Sequence, residues 1–138
     1  MSLRKWEVDF TLQDMPETQS AVAIIEDDAS YRRALERLLR AYGFEAHTFA
    51  SAEDFLASAR SGSYGCLILD IHLPGMSGLD LLDHLTTSCQ SRPAVLITGQ
   101  DQDSLRERAV RIPDSVYLRK PLIGMVLLNA VRSLLRSG

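Results

Sequence analysis

Residues 66–78 read Cys66-Leu67-Ile68-Leu69-Asp70-Ile71-His72-Leu73-Pro74-Gly75-Met76-Ser77-Gly78. Four apolar residues run without a break and end on a carboxylate. A loop around Pro74-Gly75 follows, and Leu79 to Leu85 then reads as a helix. A short apolar run without polar alternation fits a strand buried on both faces, as in a parallel sheet covered by helices. An acid at the end of such a strand sits where parallel sheets bind ligands.

The same unit recurs on either side. Ala21 to Ile25 is an apolar run that stops abruptly at Glu26-Asp27-Asp28. Tyr31, Ala34, Leu35, Leu38, Leu39 and Tyr42 then lie on one helical face, which Gly43 ends. Phe44 to Thr48 reads as a second strand, and Ser51 with Asp54 resembles a capping box for a helix burying Phe55, Leu56 and Ala59. Ala94 to Ile97 is a fourth strand ending at Thr98-Gly99. Ser104 and Glu107 give another capping-box signal, for a short helix holding Leu105 and Ala109 that Pro113 breaks. Ser115 to Arg119 is a fifth strand ending at Lys120-Pro121, and Ile123, Val126, Leu127, Ala130, Val131 and Leu134 mark a last helix. Five strands alternating with five helices predict an α/β fold. Right-handed crossovers then favour a doubly wound, flavodoxin-like parallel sheet in the order 2-1-3-4-5, with helices on both faces.

At 138 residues the chain is the size of one domain. Residues 1–20 read as an N-terminal extension and 21–138 as the domain itself. In the extension Trp6, Val8, Phe10 and Leu12 alternate with polar residues, and a polar linker around Pro16 follows. A net charge of −3 gives no electrostatic case for nucleic acid or an anionic membrane surface. No apolar run approaches the ~18 residues of a membrane span, and no signal-peptide pattern opens the chain, so a cytoplasmic location is expected. Cys66 and Cys89 cannot build a disulfide framework and read as reduced, packed thiols.

Glu26, Asp27, Asp70, Thr98 and Lys120 each follow an apolar strand. Parallel topology carries all those strand ends to one edge, so residues distant in sequence meet there. Three carboxylates in one crevice repel: two unit charges at ~4 Å interact by about 4 kcal/mol at an effective dielectric of 20. Cations must offset that. Lys120 supplies one charge, and an oxygen-coordinated divalent ion such as Mg²⁺ supplies two. An aspartate so neutralised can attack phosphorus and become an acyl phosphate.

Four motifs carry a resemblance. Ile24-Ile25-Glu26-Asp27-Asp28, Leu69-Asp70 through Gly78, Ile97-Thr98-Gly99 and Lys120-Pro121 resemble receiver domains of two-component response regulators. The spacings agree: 43 residues from Asp27 to Asp70, 28 to Thr98 and 22 more to Lys120. The resemblance runs from Ala21 to Leu135. It implies that Asp70 is the phosphoacceptor, using Mg²⁺ or Mn²⁺ held by Glu26, Asp27, Asp70 and the main-chain carbonyl of His72. It further implies that Lys120 pairs with Asp70 at rest, that Thr98 hydrogen-bonds the phosphoryl group, and that Gly99 leaves it room. Tyr117 matches the aromatic switch position, and the His72 side chain and Gln100 match positions that tune phosphoryl lifetime. Lys120-Pro121 matches a bond such domains hold in cis.

The resemblance implies a histidine kinase or phosphotransfer protein as phosphodonor. Phosphorylation would switch the fourth-helix, fifth-strand and fifth-helix face, with a homodimer as one outcome and transcription regulation as the output. Catalysis would extend only to self-catalysed phosphoryl transfer and autodephosphorylation, not to an enzyme's turnover. Direct binding of nucleic acid or membrane by this chain is not expected. Arg106, Arg108, Arg111 and Arg119 read as a solvated face or a partner surface. Asp28 reads as a helix N-terminal carboxylate, and His47 and His84 as solvated. Ile112-Pro113-Asp114 departs from the small residue and glycine common in relatives. Two other functions compete. An aspartate-nucleophile phosphohydrolase of haloacid-dehalogenase type needs a second Asp where His72 stands. A flavin binder needs a Gly/Ser/Thr-rich first loop where Glu26-Asp27-Asp28 stands.

Overall fold

The computed structural model describes residues 21–58, 61–100 and 102–137. The extension 1–20, with its alternating Trp6 to Leu12, and Ala59 lie outside the described residues. Strands β1 (Val22–Ile25), β2 (Ala46–Phe49), β3 (Cys66–Asp70), β4 (Ala94–Thr98) and β5 (Ser115–Arg119) form one sheet in the order β2-β1-β3-β4-β5. Every neighbouring pair is parallel. Helices α1 (Ala29–Ala41), α2 (Ala52–Ala57), α3 (Gly78–Thr87) and α4 (Asp103–Val110) make the four crossovers, and α5 (Gly124–Ser137) follows the last strand. The predicted topology is the observed one.

Strand alternation divides the core between the two faces of the sheet. Val22, Ile24, Cys66, Ile68, Val95 and Ile97 pack with Leu35 and Leu39 of α1 and Leu127 and Val131 of α5. Ala23, Ile25, Leu67, Leu69 and Leu96 pack on the other face with Phe55 of α2, Leu79, Leu82 and Leu85 of α3, and Ala109 of α4. The three inner strands are buried end to end, whereas β5 is half-buried from Ser115 to Leu118 and exposed at Arg119. Among the described residues no helix is long and apolar enough to cross a membrane.

Local chemistry sets the element ends. Asp28, Ser51 and Ser77 cap α1, α2 and α3, each side chain accepting a backbone N–H three residues on. At the end of α1, Gly43 (φ +90°) donates to the Arg40 carbonyl and Phe44 to the Leu39 carbonyl, at 3.1 and 3.0 Å. That pair of bonds takes Phe44 into the helix terminus, so β2 begins at Ala46 rather than at Phe44.

Three further expectations are corrected. The Ser104–Glu107 capping box is absent: α4 starts at Asp103 with Gln102 as its cap residue, which makes no side-chain cap bond, and Ser104 lies inside the first turn. Cys66 packs, and burial pushes its thiol up to about 12. Cys89 does not pack; it is exposed in the turn after α3, at φ +60°. His47 is not a freely solvated ring. It is half-buried, with Nδ1 2.8 Å from the Tyr64 hydroxyl and Nε2 2.8 Å from Glu45 Oε2, because Tyr64 is held beside it by Phe49 and Phe55. The arginine group near α4 is exposed, as a solvated face or a partner surface requires; within it Arg108 pairs with Asp83 at 2.8 Å and Asp80 at 3.8 Å, and Arg106 lies 5.7 Å from the Tyr117 ring centroid.

Candidate phosphoacceptor and metal site

β1, β3, β4 and β5 end at one edge, and their last residues and successors meet there. Carboxylate oxygens of Glu26, Asp27 and Asp70 lie within 4.8 Å of one another. Glu26 and Asp70 are buried, at 1% and 4% exposure, while Asp27 faces solvent. Lys120 enters from the end of β5. Its ammonium lies 2.9 Å from Glu26 Oε1 and 3.3 Å from Asp70 Oδ2. This is the convergence that strand order alone predicts.

Backbone groups fix the acids. The Asp28 N–H donates to Glu26 Oε2 (3.0 Å), and the His72 N–H donates to Asp70 Oδ1 (3.0 Å). Arg32, one turn into α1, donates to the carbonyls of Glu26 (2.8 Å) and Asp27 (3.3 Å) and so ties down the β1–α1 loop. Below Asp70, α3 begins so close that a Cβ on Gly78 would lie 2.4 Å from the Asp70 carbonyl oxygen. Only glycine fits there.

Burial pushes the Glu26 carboxyl above the usual carboxylate range. The Asp28 N–H and Lys120 pull it back, and the Asp70 charge adds to the rise. For Lys120, burial opposes the charge, but Glu26 and Asp70 together outweigh it and hold the ammonium above its ordinary value. Lys120 meets Glu26 Oε1 at 2.9 Å, yet one ammonium stands against three carboxylates. That surplus of negative charge, in an all-oxygen donor set, fits a hard divalent cation: Mg²⁺ takes oxygen ligands and few carboxylates.

Thr98 is fully buried at the end of β4. Its hydroxyl donates to the Gln100 carbonyl (2.9 Å) and accepts the Gln100 N–H (3.0 Å), while Gln100 itself is exposed. The His72 side chain is exposed beside Asp70. Tyr117 pairs in register with Leu96 and packs half-buried against the core under α3 and α4, on the face Thr98 shares by alternation. A Cβ on Gly99 would meet Lys120 Cδ at 3.9 Å, an ordinary contact, so steric room does not demand glycine there in this state. Lys120–Pro121 is cis. Asp28 is the exposed α1 cap.

Sequence reasoning passed over Tyr31, Arg32 and Gly78. Tyr31 was assigned only to the apolar face of the first helix, yet its ring lies over Lys120, 4.6 Å from ring centroid to ammonium. Arg32 follows the cap residue by four positions, one helical turn, which points it back at the loop it holds. Gly78 stands between a cap serine and a helical leucine, a place where glycine is costly unless a close approach requires it.

A doubly wound parallel sheet with acids, a hydroxyl and an amine at its switch of strand order defines an α/β protein built to hold a charged ligand at the carboxyl ends of its strands. The chain belongs to the response regulator receiver domain family, whose model matches residues 22–132. It is 38% identical over 114 residues to nodulation protein W of Bradyrhizobium diazoefficiens, covering 83% of this chain and 50% of that protein. It is 32% identical over 136 residues to the response regulator protein TmoT of Ectopseudomonas mendocina, covering 99% of this chain and 62% of that one. The solved structure of response regulator StyR matches with a TM-score of 0.78 at 38% identity, over 85% of this chain and 59% of that chain. The chain therefore spans only 50% and 62% of the two curated relatives' lengths. Its relatives include the transcriptional regulatory proteins TdiR and FixJ. A receiver is a signalling domain of two-component systems rather than an enzyme in the ordinary sense.

Proposed function

We propose that this receiver accepts a phosphoryl group on Asp70 from a histidine kinase or phosphotransfer protein, with Mg²⁺ or Mn²⁺ required. The observation that carries the reading is the cluster in which Asp70 is grouped with two further carboxylates and in ion-pair range of the Lys120 ammonium. Glu26, Asp27, Asp70 and the His72 main-chain carbonyl would hold the metal. When bound, it supplies positive charge to the phosphoryl oxygens and to the acid cluster.

The Asp70 carboxylate attacks phosphorus, the bond from phosphorus to the donor breaks, and the donor leaves with that electron pair. Lys120 then meets the phosphoryl oxygens with its ammonium. The Thr98 hydroxyl leaves Gln100 to donate to the phosphoryl group, and Tyr117, on the same face of the sheet, moves into the space it vacates. The face of α4, β5 and α5 changes accordingly. Its exposed Val110, Ile123 and Met125 suit a partner or a second copy formed on phosphorylation. His72 and Gln100, exposed at the rim, set access of water to the acyl phosphate and so its lifetime. Hydrolysis by that route is the only turnover proposed. A cytoplasmic location, residues 1–20 as an extension of the domain and transcription regulation as output belong to the same proposal.

The test is intact-mass measurement after incubation with acetyl phosphate and Mg²⁺. One added phosphoryl group is expected, and none on Asp70→Asn. Undiminished labelling of that variant would defeat the assignment.

A further inference from the structure

Lys120 is the most mobile member of the site by chemistry. Its flexible four-carbon stem has much rotamer freedom, and its side chain is 25% exposed. Carboxylates attract an ammonium from many directions and fix none. Something must hold it where phosphoryl oxygens will arrive.

Tyr31 meets that need. It lies in the first turn of α1, where its backbone N–H donates to the Asp28 cap carboxylate (3.1 Å), so the ring springs from an anchored point. The ring packs half-buried against the core on the α1 and α5 face of the sheet, and its hydroxyl is buried without a well-formed hydrogen bond. The ring face is turned to the Lys120 ammonium at 4.6 Å from the centroid, well inside the range of cation–π attraction. The same ammonium reaches Glu26 at 2.9 Å and Asp70 at 3.3 Å. Aromatic face and carboxylates thus share one cation.

We infer that Tyr31 is a positioning residue: its ring face confines the Lys120 ammonium to the Asp70 side of the site, ready for the phosphoryl oxygens. The inference rests on the phosphoryl-acceptance reading above. It assigns the work to the π face and not to the hydroxyl or to bulk. Phe therefore keeps the role, and Leu, which fills similar apolar space, loses it.

Two readouts test this on the full chain. The first, without metal or donor, is the NMR resonance of the Lys120 ε-protons. A ring face should displace it upfield in the wild type and in Tyr31→Phe, and the displacement should vanish in Tyr31→Leu. The second is the initial rate of labelling by acetyl phosphate with Mg²⁺. Tyr31→Phe should match the wild type, and Tyr31→Leu should fall by a factor of about two to five, the fold-change expected of one such contact at a partly exposed site. An unshifted Lys120 resonance in the wild type would overturn the inference, even if Tyr31→Leu failed to fold. So would wild-type labelling of Tyr31→Leu. If the resonance behaved as expected but the wild type took up no phosphoryl group, the phosphoryl-acceptance reading would fall, and the positioning role with it.

Discussion

Replacing Lys120 by Met removes the ammonium and keeps most of the stem, so the consequence is electrostatic. Two carboxylates then remain buried, Glu26 at 1% exposure and Asp70 at 4%, with Asp27 in the same cluster. Removing one partner of a buried pair costs about 3–5 kcal/mol. Lys120 is 25% exposed, so water moderates the loss to about 2–3 kcal/mol. For 138 residues the unfolding entropy is about 0.3 kcal/mol per kelvin, and the melting temperature should fall by about 7–10 °C. The assay is thermal melting near neutral pH in chelator, repeated with millimolar Mg²⁺. A divalent ion replaces the missing charge, so Mg²⁺ should raise the variant's Tm more than the wild type's. An unchanged Tm in chelator, or equal gains with Mg²⁺, would refute the view that Lys120 neutralises this cluster.

Gly78→Ala should cost about 1–3 kcal/mol in chemical denaturation, the range for overpacking, and should abolish phosphoryl labelling, because its Cβ would press on the Asp70 carbonyl at 2.4 Å. Asp27→Ala should weaken Mg²⁺ binding by roughly tenfold or more in a calorimetric titration, since a carboxylate at ~4 Å contributes one to several kcal/mol between bulk-water and surface dielectrics; unaltered affinity would remove Asp27 from the ligand set. Burial raises the Cys66 thiol from 9.0 to about 12, so the folded state keeps a proton the unfolded chain loses. That group's stability is whole below pH 9 and declines as pH rises towards 12, by about 1.4 kcal/mol at pH 10. Cys66→Ala should accordingly show a shallower loss of stability above pH 9 than the wild type.

Where one physical rule governs, the sequence was readable. Uninterrupted apolar runs such as Ile24-Ile25 and Leu67-Ile68-Leu69 could only be inner strands, and placing their ends on one edge brought Glu26, Asp70 and Lys120 together without any contact information. The half-buried rim was harder. Ser104 and Glu107 satisfy a capping pattern in sequence, but the helix starts two residues earlier than a Ser104 cap implies, at Asp103, and leaves the serine inside it. His47 looked like any polar residue on an edge strand, since nothing local reveals that Tyr64, 17 residues on, brings its hydroxyl there. Tyr31 fell on the apolar stripe of α1, and periodicity reports which side of a helix is covered, not what covers it.

The Thr98 hydroxyl has a consequence for signal fidelity. It already holds two bonds to the Gln100 backbone, inside a fully buried setting. Under the proposed mechanism a molecule without a phosphoryl group must break both to adopt the altered arrangement, at about 2 kcal/mol net. On that mechanism the gap would leave roughly 3% of idle molecules in the altered arrangement at any moment, a resting level that would not depend on how fast the phosphodonor works.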